Sequence, residues 1–302
     1  AVALVDLVFT RDWFEVIAVA QLPATDRVGA ILAAIRGQTA ETSSCGRVEI
    51  RLPENTSDPD LGNFARKFMA PLSKALRGAG LLAGEKRDTG TDHLEILLVD
   101  FQTAIIGISA VGNRSPFAGG IPRLRLLAAA PSRSAMKLDE AWKVFLPQSR
   151  LLEYLGGGCK AVDLGAAPGG WTWQLVRHGM LVTAVDNGPM QPELMASGHV
   201  EHVRADGYLW RPRRAVDWMV CDIVDKPRRT ATLVADWFVE GLCRYSIFNL
   251  KLPMKTRYEE WLACRSLILE RLDRAGIPAM LRARQLYHDR EEITCFLERL
   301  GD

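Results

Sequence analysis

From Ser132 onward, short apolar runs alternate with longer stretches whose apolar positions recur at the helical period. The runs predict strands at Lys160–Leu164, Leu181–Val185, Val200–Arg204, Trp218–Cys221, Ser246–Leu250, Ala279–Arg282 and Ile293–Leu297. The amphipathic stretches predict helices over Ala135–Val144, Thr232–Gly241 and Tyr258–Ala275. Strand and helix in that alternation make a doubly wound, Rossmann-like α/β sheet. The preceding residues follow another pattern. Val2–Val8 and Val48–Leu52 read as strands, Leu61–Ala79 as a helix, and Leu94–Val99 with Thr103–Ala110 as two strands around a turn, together a small α+β layer. A Gly- and Pro-rich loop over Gly112–Arg123 leads through Ala128–Pro131 into the alternating part, which divides the chain into domains 1–128 and 129–302.

Composition narrows the classes. With 302 residues, 48% hydrophobic and 25% charged, the chain can bury a sizeable core, and disorder is excluded. Apolar runs such as Leu94–Val99 and Ala104–Ala110 fall short of the ~20 residues that a membrane helix needs. No signal peptide opens the chain, so a cytoplasmic home is expected, and the further expectations are a monomer and no membrane partner. The six cysteines form no C-x-x-C pair and read as buried free thiols, while His199 and His202 have no third ligand nearby, so no metal is expected. A net charge of +2 is too mild to demand a nucleic-acid partner, although Arg211–Arg214, Lys226–Arg229, Arg123/Arg125 and Lys255/Arg257 form short basic clusters.

The sharpest motif is Ala161-Val-Asp-Leu-Gly-Ala-Ala-Pro-Gly-Gly-Trp171. A buried strand runs into a Gly-rich turn and a helix beginning near Trp171, so backbone N–H groups and missing Cβ atoms let a ligand approach closely. Pro168 in the turn, and the spacing of Gly165, Gly169 and Gly170, do not fit the dinucleotide fingerprint, which disfavours a pyridine-nucleotide dehydrogenase. Asp186 ends the second strand, where an acidic side chain can accept bonds from both hydroxyls of a cofactor ribose. Asp206 follows the third strand, placed to meet the exocyclic amine of an adenine. Singly, each Asp reads as a cap or turn residue; three such features at successive strand ends indicate S-adenosylmethionine.

Methyl transfer to a hydroxyl needs an aligned acceptor and a base. Asp222 follows the fourth strand and Lys251 the fifth, on the ligand-binding edge of such a sheet, where they should face each other. Lys137 stands at the start of the helix before the cradle, and the last strand is entered through His288-Asp-Arg-Glu-Glu292-Ile. Lys137, Asp222, Lys251 and Glu292 occur in the order of the Lys-Asp-Lys-Glu tetrad of 2′-O-ribose methyltransferases. The segments Pro131-Ser-Arg-Ser-Ala-Met-Lys-Leu138, Val185-Asp-Asn-Gly-Pro-Met190, Asn249-Leu-Lys-Leu-Pro-Met254 and Arg284-Gln-Leu-Tyr-His-Asp-Arg-Glu-Glu292 resemble the ribosomal RNA large-subunit methyltransferase M family across essentially all of 132–302. Residues 47–123, notably Asn63–Phe68 and Ser115–Arg123, resemble that family's THUMP-containing RNA-binding module.

The resemblance implies S-adenosylmethionine-dependent 2′-O-methylation of a cytidine ribose in large-subunit rRNA or its precursor. It implies that Ser134 and the backbone of Ala167, Pro168, Gly169 and Gly170 join Asp186, Asp206 and Asp222 as cofactor contacts. Lys251 would accept the proton, while Lys137 and Glu292 steer the ribose and hold the network. A free lysine has a pKa near ~10.4, so a base at neutral pH must titrate about three units lower, and substrate binding is expected to complete that shift. Ala167 stands where the family leads one to expect Cys, and the chain is expected to lack the family's N-terminal segment. Glu291 competes with Glu292 for the last tetrad place; alternation along the strand favours Glu292. A base methyltransferase would want an Asn/Asp-Pro-Pro-aromatic turn at Cys221-Asp222, or a nucleophilic Cys, and Cys221 should point away from the site. The remaining alternatives are a 2′-O-methyltransferase of another RNA and a non-catalytic, cofactor-binding RNA assembly factor. Of the aromatics near the strand ends (Trp171, Trp173, Tyr208, Trp210 and Tyr287), Tyr287 is the candidate to stack on a splayed-out base.

Overall fold

The computed structural model describes residues 2–38, 44–54, 56, 58–83, 90–288 and 291–301. The chain packs as two units, one of residues 1–5 and 10–120 and the other of residues 6–9 and 121–302. Residues 121–128 thus pack with the second unit.

The first unit contains β1 (Glu15–Gln21), α1 (Arg27–Arg36), β2 (Arg47–Arg51), α2 (Pro59–Gly78), β3 (His93–Leu98) and β4 (Thr103–Ser109). Its sheet has the order β1-β4-β3-β2, with β2 and β3 parallel and the other pairs antiparallel. Asp58 caps α2 by accepting from the Asp60 and Leu61 N–H groups, and Pro59 at the first helical position lacks the N–H that would be left over. The helix buries Leu61, Ala65, Phe68, Leu72 and Leu76, the i, i+4 stripe its amphipathic pattern predicts, with Ile96 and Ile106 of the sheet in the same core.

One expectation fails here. Val2–Val8 is not a strand: Leu4–Asp6 forms a single 3₁₀ turn, held by Asn113, whose Oδ1 accepts from the Leu4 N–H and whose amide donates to the Val2 carbonyl. The strand lies instead at Glu15–Gln21. This edge strand buries the small Ala18 and Ala20 and leaves Val16 and Val19 56% and 61% exposed. Its hydrophobic amplitude runs opposite to its burial, which hides it from a pattern reading.

The second unit contains α3 (Ala135–Phe145), α4 (Leu151–Leu155), β5 (Lys160–Leu164), α5 (Gly170–Arg177), β6 (Leu181–Val185), α6 (Pro192–Met195), β7 (Val200–Val203), β8 (Val216–Cys221), α7 (Pro227–Val239), β9 (Cys243–Lys251), α8 (Arg257–Arg274), β10 (Ala279–Arg284) and β11 (Glu292–Arg299). These strands form one sheet in the order β10-β11-β9-β8-β5-β6-β7. The five strands from β9 to β7 are parallel to their neighbours, and β11 runs antiparallel to both β9 and β10. The Rossmann-like α/β sheet is therefore mixed. Its core holds Trp218, Trp237, Phe248 and Phe296, all fully buried. The strand order reverses between β5 and β8, and outside the carboxyl ends of strands at such a switch point a crevice opens for ligands. Among the described residues, no helix is long and apolar enough to cross a membrane.

Candidate active site

The crevice is filled from two sides. Leu164 at the end of β5 pairs with Cys221 at the end of β8, so the turn that starts at Gly165 lies beside Asp222. Close approach requires glycine there: at Gly165, with φ +78°, a Cβ would stand 2.6 Å from Ile223 Cγ1. At Gly170 it would stand 2.3 Å from Ser134 Oγ and 2.4 Å from Ser132 Oγ. The start of α3 is tied over the cradle by Trp171 Nε1, which donates to the Ser134 carbonyl at 3.0 Å, and by Gln174, whose amide donates to the Ala135 carbonyl at 2.9 Å. These contacts enclose a cavity of about 260 Å³ lined by Ser132, Ser134, Asp163, Gly165–Pro168, Trp171 and Asp222. Gly169, with φ +116°, precedes α5; a Cβ there would lie 2.5 Å from Leu194 Cδ2. Gly169→Ala is expected to cost about 1–3 kcal/mol of stability, readable as a shift of the urea unfolding midpoint at unchanged slope.

Of the candidate cofactor residues, Ser134, Ala167, Pro168 and Asp222 line this cavity, whereas Asp186 and Asp206 stand at the ends of the adjoining strands, outside its lining. Asp186 Oδ2 accepts from the Ala167 N–H at 3.0 Å and Oδ1 from the Gly188 N–H at 2.7 Å. Those two bonds lock the carboxylate to both loops and leave each oxygen a lone pair. Asp206 is exposed and closes a turn through the Tyr208 N–H at 2.8 Å. Sequence reading missed Asp163. It is buried, accepts from Thr172 Oγ1 at 2.6 Å, and its pKa is pushed up to about 7 by burial, against the Thr172 bond that favours its ionised form. An acidic residue inside a parallel strand covered on both faces was the available signal.

The cradle's missing Cβ atoms, the loop N–H groups and this buried carboxyl suit an extended ligand with an ammonium-bearing amino-acid end and a ribose. S-adenosylmethionine has both.

The second wall carries the charged residues. In the antiparallel β9–β11 pair, Lys251 stands directly opposite Glu292 and Asn249 directly opposite Thr294, which puts all four side chains on one face. Lys251 forms ion pairs with Glu292 and, at 3.3 Å, with Asp222 Oδ1. Lys137, from the first turn of α3, reaches Glu292 Oε1 at 2.8 Å and Asp222 Oδ2 at 3.2 Å. Two lysines and two carboxylates therefore alternate around one ring of formal charge zero. Asn249 supports it, donating to Asp222 Oδ1 at 2.8 Å while its own oxygen accepts from Thr294 at 2.8 Å. The Glu292 side chain is 1% exposed, and Glu291 is exposed. Asp289 and Arg290 of the same motif lie outside the described residues.

Cys221 is buried in the core, and burial pushes its thiol up to about 12, the opposite of what a nucleophile needs. Of the five aromatics, Trp171 is core, Trp173 stacks with Arg177, Tyr208 with Arg229, and Trp210 packs on Trp237. Tyr287 remains 37% exposed.

Comparison with known proteins identifies the family. Residues 26–110 match the family model described as ribosomal RNA large subunit methyltransferase M, N-terminal, and residues 130–242 match that of FtsJ-like methyltransferases. The chain is 66% identical over 299 residues to a ribosomal RNA large subunit methyltransferase M from Marinobacter nauticus, covering 99% of this chain and 84% of that protein. It is 46% identical over 294 residues to the protein of the same name from Pseudomonas syringae pv. syringae, covering 97% and 80%. For the one from Azotobacter vinelandii the identity is 47% over 294 residues, covering 97% and 81%. With two thirds of its residues shared over nearly its whole length, the chain belongs to the ribosomal RNA large-subunit methyltransferase M family.

Proposed function

We propose that this protein transfers the methyl group of S-adenosylmethionine to the 2′-hydroxyl of a cytidine in large-subunit rRNA, in naked RNA or a precursor particle. The observation that carries the reading is the ring of Lys137, Asp222, Lys251 and Glu292 at the mouth of the Gly-rich cradle. Ser134, Asp222 and the backbone of Ala167–Gly170 hold the amino-acid end of the cofactor, Asp186 its ribose and Asp206 its adenine. Bound there, the cofactor supplies an electrophilic methyl on a sulfonium. Lys251 Nζ, kept as a neutral amine by the positive charges of the sulfonium and Lys137, which disfavour its ammonium form, accepts the proton of the 2′-hydroxyl. Asp222 fixes the amine's direction, and Lys137 with Glu292 holds the ribose. The first unit serves as the THUMP-type RNA-capturing domain and the second as the methyltransferase domain. A monomer acting in the cytoplasm suits the six free cysteines.

The test is transfer of labelled methyl to unmodified large-subunit rRNA and to bulk tRNA, with the product mapped by resistance of the modified linkage to alkaline cleavage. One alkali-resistant cytidine in the rRNA is expected. Label confined to tRNA would overturn the substrate, and label at a base, with every linkage cleaved, would overturn the ribose chemistry.

A further inference from the structure

Glu140 plays no part in the tetrad, yet it is a fully buried carboxylate on α3, one turn beyond Lys137. A charge held there needs strong partners. All those found belong to one segment. Glu140 Oε1 accepts from the Tyr287 N–H at 2.8 Å, and Oε2 lies 3.1 Å from the His288 N–H and 2.6 Å from His288 Nδ1. Residues three apart share a helix face, so the same face of α3 grips this segment twice, through Glu140 at Tyr287 and His288 and through Lys137 at Glu292. Leu286 is buried just before it.

The consequence falls on Tyr287. Its backbone is fixed by the buried carboxylate, and its ring packs edge-on against the His288 imidazole, centroids 5.4 Å apart and planes at 89°. The residue is nonetheless more than a third exposed, a few positions before the strand that begins with Glu292. A large aromatic side chain held rigidly in solvent costs little further entropy when something stacks on it. Unstacked RNA bases are recognised in this way, and each base–aromatic stack contributes about five- to a hundredfold in affinity.

We propose that Tyr287 is the stacking platform for an unstacked base of the RNA substrate next to the Lys-Asp-Lys-Glu ring, and that Glu140 is the positioning residue that holds it. This rests on the reading of an RNA hydroxyl as the methyl acceptor. Glu140 acts through the segment it grips and does not touch the reacting atoms.

The experiment is steady-state methyl transfer to an in-vitro-transcribed large-subunit rRNA by the full chain and by Tyr287→Leu, Tyr287→Phe and Glu140→Gln, with S-adenosylmethionine affinity measured separately by calorimetry. Tyr287→Leu is expected to raise the KM for RNA about tenfold or more, with a smaller change in kcat and unchanged cofactor affinity. Tyr287→Phe, which keeps the ring, is expected to recover most of that loss, and Glu140→Gln to follow Tyr287→Leu. A KM for Tyr287→Leu within twofold of the parent overturns the stacking role even if Glu140→Gln fails to fold. No transfer by the parent either to this RNA or to a precursor particle containing it overturns the substrate reading, and the stacking proposal with it.

Discussion

Lys251→Met is expected to lower single-turnover methyl transfer to the rRNA by about 10²–10⁴-fold, the range a positioned general base contributes. The prediction separates chemistry from binding because of the ring's charge balance. Removing one lysine leaves Asp222 and Glu292 facing Lys137 alone, so the formal charge of the ring falls from zero to −1. A cationic cofactor is not disfavoured by that change, and S-adenosylmethionine affinity should survive it. Nor is Glu292 orphaned, since it keeps the Lys137 bond at 2.8 Å. The stability loss should therefore stay below the ~3–5 kcal/mol that an unpaired buried charge costs. Lys251→Arg is the sharper companion: it retains the positive charge toward Asp222 and Glu292, but a guanidinium does not give up its proton in proteins. Both variants are expected to lose the rate while binding cofactor, measured by rapid-quench transfer and calorimetry. Transfer by Lys251→Arg within tenfold of the parent would show that another group takes the proton.

The parts of this site differ in how far they could be read along the chain. β5 and β6 stand at the residues expected, because central parallel strands covered on both faces are predominantly apolar, and the short runs survive Asp163 in one and Thr183 in the other. β9 is longer than expected at both ends, since the exposed Arg244 interrupts its apolar run near the start and the charged Lys251 ends it. The order of Lys137, Asp222, Lys251 and Glu292 was visible, as was the facing of Asp222 and Lys251, but the pairing of Lys251 with Glu292 was not. It depends on β11 running antiparallel beside β9, in a register that sets Glu292 opposite Lys251, and a doubly wound alternation says nothing of that reversal. The same register decides between the two glutamates. Glu140 and Asp163 went unnoticed for different reasons: Glu140, next to Asp139 and between two lysines, looks like one charge of a solvated helix face, and Asp163 looks like an interruption of a short apolar run, whereas packing buries each against specific donors.

Asp163 also sets the second large expectation, a loss of stability as pH rises from about 4 to about 7. In the unfolded chain an aspartate titrates near ~3.9. In the folded protein burial raises this carboxyl to about 7, with the charges of Asp222 and Asp186 acting in the same direction and the Thr172 hydrogen bond opposing them. The sign follows from which state holds the proton. Below the unfolded value both states are protonated, and the stabilisation is fully present. Through the window only the unfolded state ionises, so it gains and the folded state loses ground, until the folded group ionises as well. A rise of about three units corresponds to about 4 kcal/mol. Asp163→Asn keeps the shape and an acceptor for the Thr172 hydroxyl while removing the titration, so the difference in urea unfolding free energy across that window should shrink by about this amount. An unchanged difference would mean that Asp163 is already ionised in the free protein. A cationic ligand in the cavity that Asp163 lines reverses its preference, favouring the carboxylate. S-adenosylmethionine binding slightly below neutral pH should then expel a proton. Its calorimetric enthalpy should vary between buffers of different ionisation enthalpy in the parent and coincide in Asp163→Asn, because there the proton that the carboxyl would release is absent.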